Sequence, residues 1–219
     1  MRTITVKGVG TASTKPDLIV ISLNIIEKAR EYVDTVNGAN ERIEKLQAAI
    51  TAAGFAKEDL KTLSFNARTN YENYRNEEGV YKQRFAGYAC EYHLKLSMDF
   101  DNKRLSETLA AIANSGANAE QSIAFTVKNP EKVSAQLLKA ATENAREKAE
   151  VLCTTSGVTL GELVDIIYNW SDISIHSASV YSEERLRGVD AAVPAAAMPE
   201  FEPDDIKSSD TATFVWEIK

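Results

Sequence analysis

The residues of this chain whose chemistry could build a site are two histidines, two cysteines, a Gly-Val-Gly turn and an acidic run near the end. His93 and His176 alone cannot supply the three or four ligands of a zinc centre, and neither stands at helical spacing from a carboxylate. His93 falls beside Glu91 and Lys95 on the polar side of an alternating segment, which fits a surface role. A further carboxylate brought up to Glu91 and His93 by the fold is the arrangement that would favour catalysis. Cys90 and Cys153 have the spacing of neither a metal knuckle nor a redox pair, so they are expected as buried free thiols. Gly8-Val9-Gly10 lacks the helix start that a phosphate-binding turn requires, because Pro16 and a second strand follow it and Ser13 stands at the third glycine position. These glycines are expected to allow a bulge or close packing. No serine sits in a glycine-flanked elbow before a helix. Glu200, Glu202, Asp204 and Asp205 offer oxygen donors, but without the spacing and turn glycine of a calcium loop. The expectation is no catalytic, cofactor-binding or metal-binding residue, and no enzymatic activity.

A different chemistry, aromatic recognition, is concentrated around one hairpin, where Tyr71, Tyr74, Tyr81, Phe85, Tyr88 and Tyr92 occur within 22 positions. Tyr88 and Tyr92 are expected in the core. The candidate interface residues are Tyr71, Tyr74 and Tyr81 in the hairpin, with Val193, Pro194, Met198, Pro199 and Phe201 in a Ser/Ala/Pro/acidic arm over 171–209. An arm of that length is either disordered in isolation or a functional segment that grips a neighbour.

The elements that must position these residues follow from periodicity. Thr3 to Gly10 and Leu18 to Ile26 read as strands around the Lys15-Pro16-Asp17 turn, and the pair looks like a hairpin. Tyr32 to Ala53 has helical spacing and ends at Gly54. Thr62 to Arg68 is a third strand, Asn70 to Gly79 the tip of a hairpin, and Tyr88 to Met98 the clearest strand of the chain. Asp101 caps a second helix, Ile123 to Val127 forms a strand, and Asn129-Pro130-Glu131 opens a long helix with a small-residue stripe ending at Gly157. Leu163 to Tyr168 is a short strand, and Thr211 to Ile218 alternates as a closing strand that must pair inside the main sheet. The fold class is α+β, an antiparallel sheet packed with about three helices in one domain over 1–219.

One passage occurs twice. Asn40, Arg42, Ala48, Ala49, Ile50 and Gly54 recur as Asn102, Arg104, Ala110, Ala111, Ile112 and Gly116, within pseudo-repeats around 36–68 and 98–128. Part of this match is ordinary helix grammar, because glycine suits the left-handed turn past a helix end. The remainder fits an internal β-α-β duplication.

Composition excludes several classes. The 219 residues are 44% hydrophobic, enough for a packed core without staples. A net charge of −7 opposes binding to nucleic acid or anionic lipid, both of which depend on clustered Lys and Arg. No stretch approaches the roughly 18 apolar residues of a membrane span, and Met1-Arg2 leads straight into a strand pattern. As it stands the sequence reads as cytoplasmic; an export signal removed beforehand would place the protein in the periplasm or outside the cell.

The order of motifs resembles the SIMPL-domain family, which includes periplasmic immunogenic antigens and oxidative-stress proteins. The resemblance rests on Ile4 to Gly10 with Lys15-Pro16-Asp17, and on Gly54 followed by Glu58-Asp59-Leu60-Lys61-Thr62. It continues through Gly87-Tyr88, Ala141, Ala145, Lys148-Ala149, Gly157, Leu160-Gly161-Glu162-Leu163 and the closing strand. It implies an α+β fold, no established catalytic residues, and assembly of some relatives into rings or channel-like oligomers. The reading that follows is a non-enzymatic, self-assembling homo-oligomer linked to stress tolerance or envelope integrity. The alternative is a module that binds a peptide or small ligand through a sheet edge or the aromatic hairpin.

Overall fold

The computed structural model describes residues 2–77, 79–169 and 201–219. In chain order these form β1 (Thr3–Thr14), β2 (Leu18–Ala29), α1 (Tyr32–Ala52), β3 (Lys61–Arg75), β4 (Tyr81–Asp99), α2 (Asn102–Asn114), β5 (Glu120–Thr126), α3 (Pro130–Thr155), β6 (Leu160–Ile167) and β7 (Ile206–Ile218), with one 3-10 turn at Lys57–Asp59. The α+β class holds, with the strands divided between two antiparallel sheets. The chain comes as two compact units, each drawn from separate stretches of sequence.

The first unit holds residues 2–17, 125–169 and 203–219, with its sheet in the order β1-β7-β6. β1 and β7 pair antiparallel without a break, from Thr3 opposite Glu217 to Thr14 opposite Ile206. Alternation places Val6, Phe214 and Trp216 on the face that meets Ala145 and Ala149 of α3. Helix and strand approach so closely here that a Cβ on Gly8 would lie 2.0 Å from the Ala141 carbonyl oxygen, and one on Gly10 would lie 1.9 Å from that of Leu137. The unbroken register means the Gly8-Val9-Gly10 segment serves close packing and forms no bulge. α3 starts as expected, with Asn129 Oδ1 accepting the Lys132 amide at 3.0 Å and Pro130 in the first turn.

The expected hairpin of the first two strands does not form, since β1 pairs with β7 and β2 with β4. The turn is instead tied to the segment after β5. Asp17 donates its amide to the Thr126 carbonyl at 3.1 Å, and its carboxylate accepts the Lys128 amide at 2.7 Å. The closing strand begins at Ile206, five residues earlier than its alternation suggested, which shortens the 171–209 segment accordingly.

The second unit holds residues 18–124 and 201–202, with its sheet in the order β3-β4-β2-β5. Ile19, Ile21, Leu23 and Ile25 of β2 stand opposite Met98, Leu96, Leu94 and Tyr92 of β4, and α1 lies against these two strands and beside α2. Side chains from all four elements are buried, among them Leu46 and Ile50 of α1 and Leu105 and Ile112 of α2. Asp101 caps α2 by accepting the Arg104 amide at 3.1 Å.

The sheet order is that of a split β-α-β-β-α-β unit. Exchanging β2-α1-β3 with β4-α2-β5 maps the order onto itself reversed, as a pseudo-two-fold arrangement requires. The repeated arginines are reciprocal. Arg42 donates to the carbonyls of Ala117 and Asn118 just past α2, whereas Arg104 reaches the Gly54 carbonyl just past α1 and lies 4.3 Å from the Phe55 ring centroid.

Candidate functional site

Three exposed features stand out among the described residues: a projecting hairpin and a polar cluster on one sheet face, which collect side chains singled out by the sequence, and two apolar sheet edges. The hairpin arises because β3 and β4 outrun their neighbour. β2 accompanies β4 only as far as Ala29 opposite Tyr88, beyond which Asn70–Arg75 and Tyr81–Gly87 pair with each other alone. At about 3.3 Å per residue this two-stranded ribbon projects roughly 20 Å. Asn70 to Arg75 therefore belongs to a strand and not to the tip, which is confined to Asn76–Val80. There Asn76 Oδ1 accepts the Val80 amide at 2.8 Å and Gly79 adopts φ +81°. The polar composition of this stretch hid the strand, because a ribbon wet on both faces shows no apolar alternation.

A one-residue irregularity at the base rotates the ribbon relative to the sheet. Asn70 pairs with Gly87 but Tyr71 with Phe85, so β4 carries an extra residue. Gly87 meets this with φ +122° and with its Cα so near Ala29 that a Cβ would lie 2.1 Å from the carbonyl oxygen. As a result Phe85 and Tyr88, three apart, share one face. Edge-to-face contacts then run from Tyr71 to Phe85 at 5.9 Å, from Phe85 to Tyr88 at 5.5 Å and from Tyr88 to Tyr32 at 5.6 Å. Tyr81 lies further out on that face with the Arg75 guanidinium 5.4 Å from its ring. Tyr74 points to the opposite face, with Arg84 at 5.6 Å and ion-paired to Glu72.

Of the sequence-predicted interface residues, Tyr71 and Tyr81 are thus brought to one face, 56% and 74% exposed, and Tyr74 is separated from them. Tyr88 and Tyr92 are half-buried, short of the full core positions expected: Tyr88 is the last β4 residue paired with β2, where the sheet runs out into the ribbon, and Tyr92 has the half-exposed Phe65 of the edge strand as its neighbour. Tyr92 packs on Phe65 at 4.6 Å and donates to Asn40 Oδ1 at 3.3 Å. Burial, with smaller contributions from Cys90 and Tyr32, raises the pKa of the Tyr92 phenol. Phe201 is buried, which takes its ring out of the set available to a partner. Val193, Pro194, Met198 and Pro199, like His176 and Glu200, lie outside the described residues.

The polar cluster centres on Glu91. Its carboxylate accepts from Asn24 Nδ2 at 3.4 Å and lies 3.4 Å from His93 Nε2 and 3.6 Å from Arg68 Nη1. The His93 side chain is 48% exposed, as its place on the polar face implied. Among the described residues no group of three or more His, Cys, Asp or Glu side chains is placed to hold a metal ion. Cys90 and Cys153 are buried free thiols, one in each unit, and burial raises the Cys90 pKa. Among the described residues no helix is long and apolar enough to cross a membrane.

The exposed edges were not singled out as apolar surfaces by the sequence. β6 ends the first sheet and β3 the second. Leu163, Val164, Ile166 and Ile167 on the one, and Leu63 and Phe65 on the other, are all close to half exposed or more. The signal available was Leu163-Val164 and Ile166-Ile167 in a strand too short to alternate.

The family model described as SIMPL, protein of unknown function (DUF541), matches residues 4–216. The chain belongs to the SIMPL family. Among similar proteins, the 26 kDa periplasmic immunogenic protein of Brucella melitensis biotype 1 is 25% identical over 163 residues, and that of Brucella abortus (strain S19) is 24% identical over the same length. The match takes in 74% of this SIMPL chain and spans about 65% of the length of each relative.

Proposed function

We propose that this SIMPL protein is a non-catalytic assembly protein, in which the projecting ribbon docks against another copy of the chain. The observation that carries the reading is the ribbon itself. A two-stranded ribbon is marginally stable alone in water, and this one bears exposed aromatic side chains on both faces. Burying those rings against a partner gives the ribbon a third layer, and the edge-to-face contacts already made among them lower the cost of ordering them on binding. The relatives' description as periplasmic immunogenic proteins favours a periplasmic setting, and with it a part in envelope integrity or stress tolerance.

The test is native mass by light scattering behind a sizing column. Wild type is expected at a defined multiple of 24.1 kDa, and the variant Tyr71→Ser/Tyr81→Ser/Phe85→Ser at a lower one with unchanged far-UV circular dichroism. A wild-type monomer overturns the reading. The outer edge of β6, which pairs with no described strand, favours a second reading, capture of an extended peptide or small ligand by strand addition. Retention of one defined molecule through purification by a monomeric protein supports that reading.

A further inference from the structure

We infer that the outward face of the second unit's sheet carries a site for a small tetrahedral oxyanion, phosphate or a soluble phosphate or sulfate monoester, centred on Lys61 and Lys95. The site is independent of the assembly reading above, because none of its residues belongs to the ribbon. Residues directly opposite on neighbouring strands share a face. The register sets Lys61 of β3 opposite Lys95 of β4, with Ser22 of β2 on the other flank of Lys95. The next row on the same face is Asn24, His93 and Ser64. Leu94 and Leu96, on either side of Lys95, are buried, so these rows stand on the face turned away from the core.

Two lysines in directly opposed positions repel, and such a pair destabilises a sheet. Neither has an ion-pair partner among the described residues. Glu91 and Asp99 each lie four residues from Lys95 along β4, roughly 13 Å away and beyond the screening length at physiological salt. Glu91 is moreover engaged by Asn24, His93 and Arg68, and the Asp59 carboxylate accepts the Ala56 amide at 2.9 Å. The two rows thus hold ammonium, hydroxyl, amide and imidazole groups with no carboxylate among them. A bulge serves this arrangement. Lys61 and Ser64 are three positions apart and would face opposite ways in a regular strand; the register shift between Thr62 and Ser64, with Leu63 as the extra residue, brings both to the outward face.

An oxyanion seated between the two ammonium groups takes a charge-assisted hydrogen bond from each and turns their repulsion into attraction, with the Ser22 and Ser64 hydroxyls beside it. Lysines bind such an anion as point charges. The net charge of −7 opposes an extended polyanion, and neither row carries an aromatic side chain on which a base could stack, so the ligand is small.

The test compares wild type with Lys61→Gln/Lys95→Gln in sodium phosphate and in sodium chloride of equal ionic strength, by thermal unfolding and by equilibrium dialysis of inorganic phosphate. In chloride the variant is expected to be at least as stable as wild type, because the repulsion is gone. In phosphate, wild type is expected to gain stability saturably, and the variant to bind about tenfold more weakly or worse. Chloride and phosphate acting alike on wild type, or equal phosphate binding by the variant, overturns the site. A variant less stable than wild type in chloride overturns the repulsion on which it rests. Co-sedimentation with phosphatidylglycerol vesicles separates the sources of the anion: the protein is expected in the supernatant, and pelleting that the same substitutions abolish overturns a soluble ligand. The variant is expected to keep the native mass of wild type, so a failure of this site leaves the assembly reading standing, and a wild-type monomer leaves this site standing.

Discussion

Arg42 shows how much of the second unit hangs on one side chain. It donates at 2.6 Å to the carbonyls of Ile26, Ala117 and Asn118 and at 3.0 Å to the Glu27 carboxylate, joining the end of β2 to the turn after α2. Arg42→Met keeps the apolar stem but strands three carbonyls and a carboxylate, so urea unfolding is expected to show a loss of about 2–3 kcal/mol. Arg104→Met removes one 3.5 Å bond and a ring contact and is expected to cost about 1 kcal/mol or less. Equal losses would contradict this ranking. The recurrence of the two arginines was legible in the sequence; their reciprocal reach was not, because spacing along a chain does not say which helix end a side chain meets. A second residue-scale prediction concerns Tyr168, whose hydroxyl donates to Asp210 Oδ2 at 2.8 Å. That hydrogen bond, then burial and the carboxylate charge, raise the phenol pKa. Folding therefore favours the neutral phenol. The stabilisation is complete below the unfolded value of about 10 and is lost as pH rises through the higher folded value. The stability gap between wild type and Tyr168→Phe should accordingly hold steady below pH ~9 and narrow as the pH rises beyond ~10 in urea titrations. A constant gap would show that the phenol does not titrate within that bond.

At the scale of elements, the contact between α3 and β1 is set by absent side chains on both partners, glycines at 8 and 10 and alanines at 141, 145 and 149. Gly10→Ala drives a methyl group to within 1.9 Å of a helix backbone oxygen that cannot move without shifting the whole of α3. Thermal unfolding should show a loss of about 3 kcal/mol, the upper end for overpacking. Val9→Ala, on the solvent face of the same strand, is expected to change stability by no more than about 0.5 kcal/mol and serves as its control. Helices proved the most legible elements: the α1 start at Tyr32 and the caps at Asp101 and Asn129 were all readable, because capping and 3.6-residue periodicity are local. Strand identity was readable too, but strand partnership was not. β1 and β2 have the look of a hairpin on either side of Pro16, yet their partners lie elsewhere, since alternation states which face is buried and is silent about which edge is paired. The ribbon was missed for the complementary reason: Glu72, Asn73 and Tyr74 are wet on both sides, so no face announces a strand.

For the molecule as a whole, the connectivity orders folding. The core of the second unit lies within 18–124, and its central pair joins Leu23 to Leu94, about seventy positions apart. The central pair of the first unit joins Val6 to Phe214, more than two hundred positions apart. Loop closure alone disfavours the longer pairing by about 1 kcal/mol, roughly fivefold in rate. Once β2 to β5 are in place, Asp17 can bond to Thr126 and Lys128, which anchors β1 next to the start of α3; β7 then has a template. The second unit should therefore form first, with β7 closing last. Pulsed hydrogen exchange during refolding is expected to protect β2 and β4 amides before those of β1 and β7. Trp216, stacked on Phe214 at 5.4 Å, gives an independent reading of the late step in a Trp170→Phe background. A single phase in which both sets of amides and the Trp216 signal appear together would remove the ordering.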